Sequence, residues 1–244
     1  MDEMKSFPIV TFLLSIACLA VFLFTNGENI VFYERAFGFV PSTPKIYTLI
    51  TYTFIHVDIV HLLGNLLILI IAGLAIEEFF GKSIYITIYL TSANIAVIFD
   101  ILGRLVFNIS FNSPFVGASG AIFGLVGAMV LVKPFEKIPT FLVLLFAIPL
   151  FLLIYQSGII PPYPIVVMVI LIMIGVLIGV VFFVMPKMSC ILVFALYSLF
   201  TIISIYTSRG SNISHLGHLG GFIGGLLSFF VFAKTTGSKS FKYN

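Results

Sequence analysis

The sequence predicts an all-α protein that crosses a membrane several times. Hydrophobic residues make up 61% of its 244 residues, charged residues make up only 9%, and the mean hydropathy is +1.23. A soluble domain of this length could not bury so much apolar surface. Apolar runs recur at about the 20 residues that a helix needs to cross a bilayer. We therefore expect a single polytopic domain over residues 1–244, without a separate soluble module.

Eight membrane spans are predicted from these apolar runs. Most runs end at Gly, Pro or charged residues, which is typical of connecting loops. The segment 26–57 differs because it mixes aromatic with charged residues, and we interpret it as a structured loop at the interface between lipid and water on the outer face of the membrane. The predicted spans cover residues 8–24, 60–79, 83–104, 118–132, 138–157, 163–184, 188–207 and 215–233.

The distribution of basic residues predicts that both termini are cytoplasmic. With the amino terminus inside, eight lysines fall on the cytoplasmic side and four basic residues fall outside. The apolar run from Phe7 to Phe24 is typical of a retained signal anchor, and we expect the plasma membrane if the protein is prokaryotic. The formal charge of +3 is too small to indicate a nucleic-acid partner. Cys18 and Cys190 lie inside apolar runs, which argues against a disulfide or a thiolate metal site.

Two charged pairs near span ends are interpreted as structural. Asp100 and Arg104 are four residues apart, the spacing of an ion pair along one helix face, and we place that pair at the water boundary. Glu77 and Glu78 are interpreted as the solvated end of the second span. Neither pair is predicted to take part in chemistry.

Polar side chains inside spans are rare because their transfer into lipid is unfavourable, so they point to function. All four histidines fall at or just inside the outer ends of spans, Asn65 follows one of them by four residues, and Ser119 opens the fourth span. The histidines are His56, His61, His215 and His218.

Ser119 and His218 are predicted to be a nucleophile and its base. Small residues let membrane helices approach closely, and both spans carry glycines at helical spacing. A serine hydroxyl becomes a good nucleophile when an adjacent neutral imidazole takes its proton, and the same ring can protonate the leaving amine. The glycines concerned are Gly120 and Gly124 in the fourth span and Gly217, Gly221 and Gly225 in the last.

Donors for a developing oxyanion are predicted beside the serine. Ser119 stands at a helix amino terminus, where backbone N–H groups are free and the helix dipole favours negative charge. His61 and Asn65 lie one turn apart on a single helix face and could donate further hydrogen bonds.

These motifs resemble those of the rhomboid intramembrane serine proteases. The resemblance lies in His56 with His61 and Asn65, in the string Gly117-Ala118-Ser119-Gly120, and in Gly217-His218-Leu219-Gly220-Gly221. It implies that Ser119 is the nucleophile and His218 the base, that His61 and Asn65 help the serine N–H to stabilise the oxyanion, and that His56 supports the polar cavity. It also implies cleavage of transmembrane proteins near the outer face, at small residues within or beside a helix that unwinds readily.

The chain departs from the family pattern in two places. Tyr47-Thr48 stands where members with a six-span core commonly carry Trp-Arg, which indicates that the first loop is anchored differently. The interval between Ser119 and His218 is long enough for three spans rather than one. We therefore expect a rhomboid-like six-helix core with two additional helices within about 138–207. An odd number of crossings still returns His218 to the side of Ser119.

Two other functions compete with proteolysis. A metal site or carrier could use the four histidines, but His56 and His61 are five apart, so a continuous helix turns them roughly 140° from each other. His215 and His218 could chelate as an i,i+3 pair, which leaves Ser119 and Asn65 unexplained, and we interpret His215 as structural. A non-catalytic relative that escorts membrane proteins would not need both Ser119 and His218. We expect no metal and no cofactor.

Overall fold

The computed structural model describes residues 7–133, 137–138, 188–189 and 215–233. The described helices belong to one compact unit, and a two-residue antiparallel strand pair belongs to a second. In chain order the elements are α1 (Ile9–Thr25), α2 (Ile30–Phe37), α3 (Thr48–Thr51), a 3₁₀ turn (Tyr52–Phe54), α4 (Ile59–Phe80), α5 (Lys82–Phe107), α6 (Ser119–Val132), β1 (Lys137–Ile138), β2 (Met188–Ser189) and α7 (His215–Ala233).

Long apolar helices establish an integral membrane protein. In the described part, α4, α5 and α7 are long and apolar enough to cross a bilayer, and α1 and α6 are shorter apolar helices. These five match the predicted spans 8–24, 60–79, 83–104, 118–132 and 215–233 to within a few residues.

The other three predicted spans, 138–157, 163–184 and 188–207, lie outside the described residues apart from their edges. Residues 138, 188 and 189 are in strands, so two of these spans were predicted to begin too early. Hydropathy locates an apolar run but not the residue at which a helix starts.

The segment predicted as an interfacial loop, 26–57, contains two short helices and a 3₁₀ turn, which together cover just under half of it. Its first helix, α2, exposes Val31 and Phe32, and the short α3 runs directly into the 3₁₀ turn. The backbone then extends and enters α4 through Asp58, whose carboxyl oxygen accepts a hydrogen bond from the His61 N–H at 2.7 Å. This cap satisfies one of the unpaired amides of the first turn.

A tight reversal joins α4 to α5. Gly81 adopts φ +77°, a conformation that side-chain-bearing residues rarely adopt, and its N–H closes α4 on the Glu77 carbonyl. The two helices therefore run in opposite directions with a single residue between them.

The prediction that Glu77 is solvated is wrong. Glu77 is only 3% exposed, because its carboxyl oxygens accept hydrogen bonds from the Val10 N–H, the Thr11 N–H and the Thr11 hydroxyl at 2.8 to 3.0 Å. The side chain at the end of α4 therefore caps the start of α1. Its neighbour Glu78 is exposed, as predicted.

The Asp100–Arg104 ion pair is present, at 2.6 Å, but it is buried rather than placed at the water boundary. Arg104 also donates from Nη1 to the Ser110 carbonyl in the loop that follows α5. The pair therefore fixes the beginning of the connection to α6, which explains why a charged pair is kept away from water.

Helices α5, α6 and α7 pack closely through glycine. A β-carbon at Gly221 would overlap the Gly120 carbonyl oxygen, and one at Gly225 would overlap the carbonyl oxygen of Gly124. A β-carbon at Gly124 would also overlap Ser92 of α5. Backbone contact of this kind between helices requires small residues at the interface.

Candidate active site

Ser119 and His218 meet at the amino-terminal ends of α6 and α7. The distance from His218 Nε2 to Ser119 Oγ is 2.8 Å, at which the hydroxyl can donate to an unprotonated ring nitrogen. Ser119 is the first residue of α6, and His218 lies in the first turn of α7. The two side chains therefore make direct contact although 99 residues separate them.

An aromatic ring supports the histidine. Phe123 stacks on the His218 ring with a centroid distance of 4.8 Å and an interplanar angle of 32°. Phe123 lies four residues after Ser119, one turn further along the same face of α6. This contact restricts the orientation of the imidazole.

The backbone before Ser119 turns sharply at Gly117. Gly117 has φ +105°, and its N–H donates to the Tyr52 carbonyl at 2.9 Å. Two residues earlier, Phe115 forms an antiparallel bridge with Phe39, with hydrogen bonds of 2.8 and 3.0 Å in the two directions. The segment leading to the serine is thus held by backbone hydrogen bonds to the loop between α1 and α4.

His61 and Asn65 lie against this turn. A β-carbon at Gly117 would be 2.7 Å from His61 Nε2 and 3.6 Å from Asn65 Nδ2. Asn65 is buried, and within the described residues its Nδ2 has no hydrogen-bond partner. A buried donor without a partner is unfavourable, and this one is adjacent to the turn that leads into Ser119.

His56 lies behind His61, with ring centroids 5.1 Å apart. Burial, followed by the positive charge that His61 can carry, lowers the pKa of His56 to about 4, so the ring is neutral near pH 7. Its Nδ1 lies 3.1 Å from the Phe54 carbonyl oxygen and donates to it, which leaves Nε2 as an acceptor. His56 therefore adds a buried polar ring beside His61.

The remaining predicted residues have structural positions. The His215 ring lies 6.3 Å from that of His218 and makes an edge contact with it. Gly120, Gly124, Gly221 and Gly225 form the contact between α6 and α7 that lets the serine and the histidine approach.

Two neighbouring residues were missed by the sequence analysis. Phe123 could have been found, because the i,i+4 spacing from Ser119 places it on the same helix face. Tyr52 had no recognisable signal, because it lies in the segment interpreted as an interfacial loop. Its carbonyl and ring both contact the segment before Ser119.

The arrangement provides the groups that acyl transfer requires: a hydroxyl nucleophile, a neutral base and donors converging on the same turn. Among the described residues, no group of three His, Cys, Asp or Glu side chains is placed to hold a metal ion.

Comparison with known proteins points to the same family as the motifs. The family model of the Rhomboid domain matches residues 43–185, more than half of the chain; this range includes Ser119 and ends before His218. The chain is also similar to a protein named "Rhomboid protease GluP" from Bacillus subtilis (strain 168). The two are 32% identical over 108 residues, which is 44% of this chain and 20% of that protein. The matched part of the chain thus spans about a fifth of the length of this relative.

Proposed function

This chain belongs to the rhomboid family, and from that premise we propose that it is an intramembrane serine endopeptidase with Ser119 as nucleophile and His218 as base. The observation that carries the proposal is the 2.8 Å approach of His218 Nε2 to Ser119 Oγ. Both side chains lie in apolar helices, where a polar group is unfavourable unless it has a hydrogen-bond partner or a function. A chance contact between them is therefore improbable.

The proposed reaction follows from these groups. As Ser119 Oγ attacks the scissile carbonyl carbon, its proton passes to His218 Nε2, and the carbonyl oxygen becomes negative. When the C–N bond breaks, His218 gives that proton to the leaving amine, and an ester remains on Ser119. Water then attacks the ester, its proton passes through His218 to Ser119 Oγ, and the acid product leaves.

The oxyanion is stabilised by the Ser119 N–H and by the side chains of His61 and Asn65. An amide at the start of a helix is not used by the helix itself, and the helix dipole favours negative charge there. The position of His61 and Asn65 against Gly117 supports this role, and so does the buried Asn65 Nδ2. His56 keeps the surroundings of His61 polar.

The proposed substrates are transmembrane proteins, single-span or otherwise, that enter laterally from the lipid and unwind near the outer face. Water is a reactant, so the serine must face a wet cavity lined by protein. The proposed architecture is one domain with a rhomboid core of six helices and two further spans within about 138–207. Both termini are cytoplasmic in this proposal.

The test is cleavage of a reporter by the full chain. The chain is co-expressed with a single-span reporter that carries small, helix-weakening residues near its outer end, and the cleaved fragment is quantified. We expect Ser119→Ala and His218→Ala to reduce cleavage to the level of cells without the protein, because the hydroxyl or its base is lost.

Matched controls separate catalysis from folding. Ser92→Ala removes another buried hydroxyl next to α6, and His215→Ala removes the neighbouring imidazole; both variants should cleave the reporter. Cleavage by Ser119→Ala or His218→Ala at the parent's rate would exclude this dyad. A purified parent that is folded yet cleaves no membrane reporter would exclude the activity itself.

A further inference from the structure

Tyr52 is completely buried in the turn that precedes α4. It is the first residue of the 3₁₀ turn between α3 and α4, and its exposed fraction is 0%. A buried phenol needs a hydrogen-bond acceptor, and here the hydroxyl donates to the Ala93 carbonyl in the middle of α5 at 2.8 Å. Tyr52 thus ties the turn before α4 to the body of the helix bundle.

The same residue holds the segment that precedes the serine. Its carbonyl accepts the Gly117 N–H at 2.9 Å, and its ring packs on Phe115 with a centroid distance of 4.9 Å. Phe115 is itself bridged to Phe39 through backbone hydrogen bonds. Two positions just before Ser119, at 115 and 117, therefore contact Tyr52 directly.

Tyr52 also contacts the chain just after the serine. A β-carbon at Gly120 would lie 3.3 Å from the Tyr52 hydroxyl oxygen and 3.8 Å from the Phe115 ring. The hydroxyl is therefore adjacent to the second residue of α6. One side chain and its own carbonyl thus contact the nucleophile's neighbours on both sides.

We propose that Tyr52 is a positioning residue that sets the height and direction of Ser119 relative to His218, through its contacts with Gly117, Phe115 and Gly120. Tyr52 does not touch the reacting atoms. The hydroxyl bond to Ala93 fixes the ring, the ring fixes the Tyr52 carbonyl, and the carbonyl fixes Gly117. This inference rests on the proposed function, because positioning has meaning only if Ser119 is a nucleophile.

Catalytic geometry tolerates little displacement. A misplacement of about 1 Å can lower a rate by about 100-fold, so loss of such an anchor should slow the chemical step. Tyr52→Phe keeps the ring and loses one hydrogen bond, and we expect kcat to fall by about 2- to 10-fold. Tyr52→Leu also removes the ring from Phe115, and we expect a fall of about 100-fold.

The experiment uses the purified full chain in liposomes. It measures kcat and KM for a fluorogenic single-span reporter, the rate at which a fluorophosphonate probe labels Ser119, and the melting temperature. For Tyr52→Phe we expect kcat and the labelling rate to fall together while KM stays at the parent's value. A purely structural role would lower the melting temperature and the yield without slowing labelling of the folded protein.

Tyr89→Phe is the matched control. Tyr89 is another buried phenol on α5, 2% exposed, and among the described residues it makes no hydrogen bond or ring contact with residues 115–120. The Tyr89→Phe variant should be labelled by the probe, and should cleave the reporter, at the parent's rates. The proposal is overturned if Tyr52→Phe equals the parent in both rates, or if Tyr89→Phe is slowed as much.

Failure of the inference can be told from failure of the proposed function. A parent that cleaves and takes the label, together with an unimpaired Tyr52→Phe, removes only the role of Tyr52. A folded parent that neither cleaves nor takes the label removes the proposed function, and the role of Tyr52 with it, because there is then no nucleophile to position.

Discussion

Asn65 carries a buried amide donor that the proposed mechanism uses. Its Nδ2 lies near the Gly117 turn, has no partner among the described residues, and stands one helical turn after His61. In a resting protein such a donor is unfavourable by about 1 to 3 kcal/mol. A substrate oxyanion would accept a hydrogen bond from Asn65 Nδ2. Because this hydrogen bond would form only in the transition state, it would lower the barrier of the reaction.

His61→Ala and Asn65→Ala should each lower kcat by about 100- to 1000-fold, because each removes one donor to the oxyanion. Some turnover should remain, in contrast to Ser119→Ala. The measurement is reporter cleavage by equal amounts of folded protein. Asn94→Ala serves as the control, since it removes a half-buried amide that only donates to the Leu90 carbonyl of its own helix. A loss no larger than that of Asn94→Ala would assign His61 and Asn65 to packing.

The environment of Glu77 was the hardest to predict from the sequence. Two adjacent glutamates at the end of an apolar run are typical of a helix end in water, but the partners of Glu77 lie 66 and 67 residues earlier in α1. Nothing local distinguishes it from Glu78. The Ser119 and His218 side chains were easier to predict, because each stands in a glycine-rich string whose spacing favours close helix contact.

We expect Glu77→Gln to lower the free energy of unfolding by about 1 to 3 kcal/mol. The glutamine amide replaces one acceptor oxygen with a donor that faces the donors of Val10 and Thr11. Unfolding of the purified protein in mixed micelles measures the difference. Glu28→Gln, at an exposed glutamate outside the helices, should unfold like the parent; equal stability of both variants would mean that the cap on α1 contributes nothing.

At the scale of elements, the site depends on how closely α7 approaches α6. Gly221 and Gly225 lie directly on the carbonyl oxygens of Gly120 and Gly124, so the two backbones are in contact over about one turn just beyond the dyad. Hydropathy predicted both helices to within a residue. It could not predict which short elements fill the segment 26–57, because α2, α3 and the 3₁₀ turn depend on contacts with α5 and with the segment before Ser119.

Gly221→Ala should separate the two helices and with them the catalytic pair. The added methyl overlaps the Gly120 carbonyl oxygen, and overpacking of this kind costs about 1 to 3 kcal/mol. We expect a lower melting temperature and a kcat reduced by about 100-fold, because the serine and the imidazole move apart. Gly64→Ala is the control: a β-carbon there meets nothing within 4 Å, so parental activity is expected. Full activity in Gly221→Ala would show that close packing of α7 against α6 is not required for catalysis.

At the scale of the whole molecule, helix direction places Ser119, His218 and His61 at one end of the bundle. Helix α4 starts beside His61 and ends at Gly81, α5 returns from there, and α6 starts again beside Ser119. The start of α1 lies at the opposite end, since it is capped by Glu77. In the orientation that we propose from the positive-inside rule, that opposite end, with Lys82, is cytoplasmic.

This orientation can be tested by labelling from outside the cell. In a chain whose Cys18 and Cys190 are replaced by alanine, Asn112→Cys lies in the loop before α6 and Lys82→Cys in the turn after α4, and both positions are exposed. A membrane-impermeant maleimide applied to intact cells should label Asn112→Cys and reach Lys82→Cys only after lysis. A single helix, α5 (Lys82–Phe107), lies between the two positions, so the two labelling results must be opposite. Labelling of Lys82→Cys in intact cells would show that the orientation is the reverse of the proposed one. Ser119 and His218 would then lie near the cytoplasmic face, and a substrate would have to be cleaved near the cytoplasmic end of its transmembrane helix.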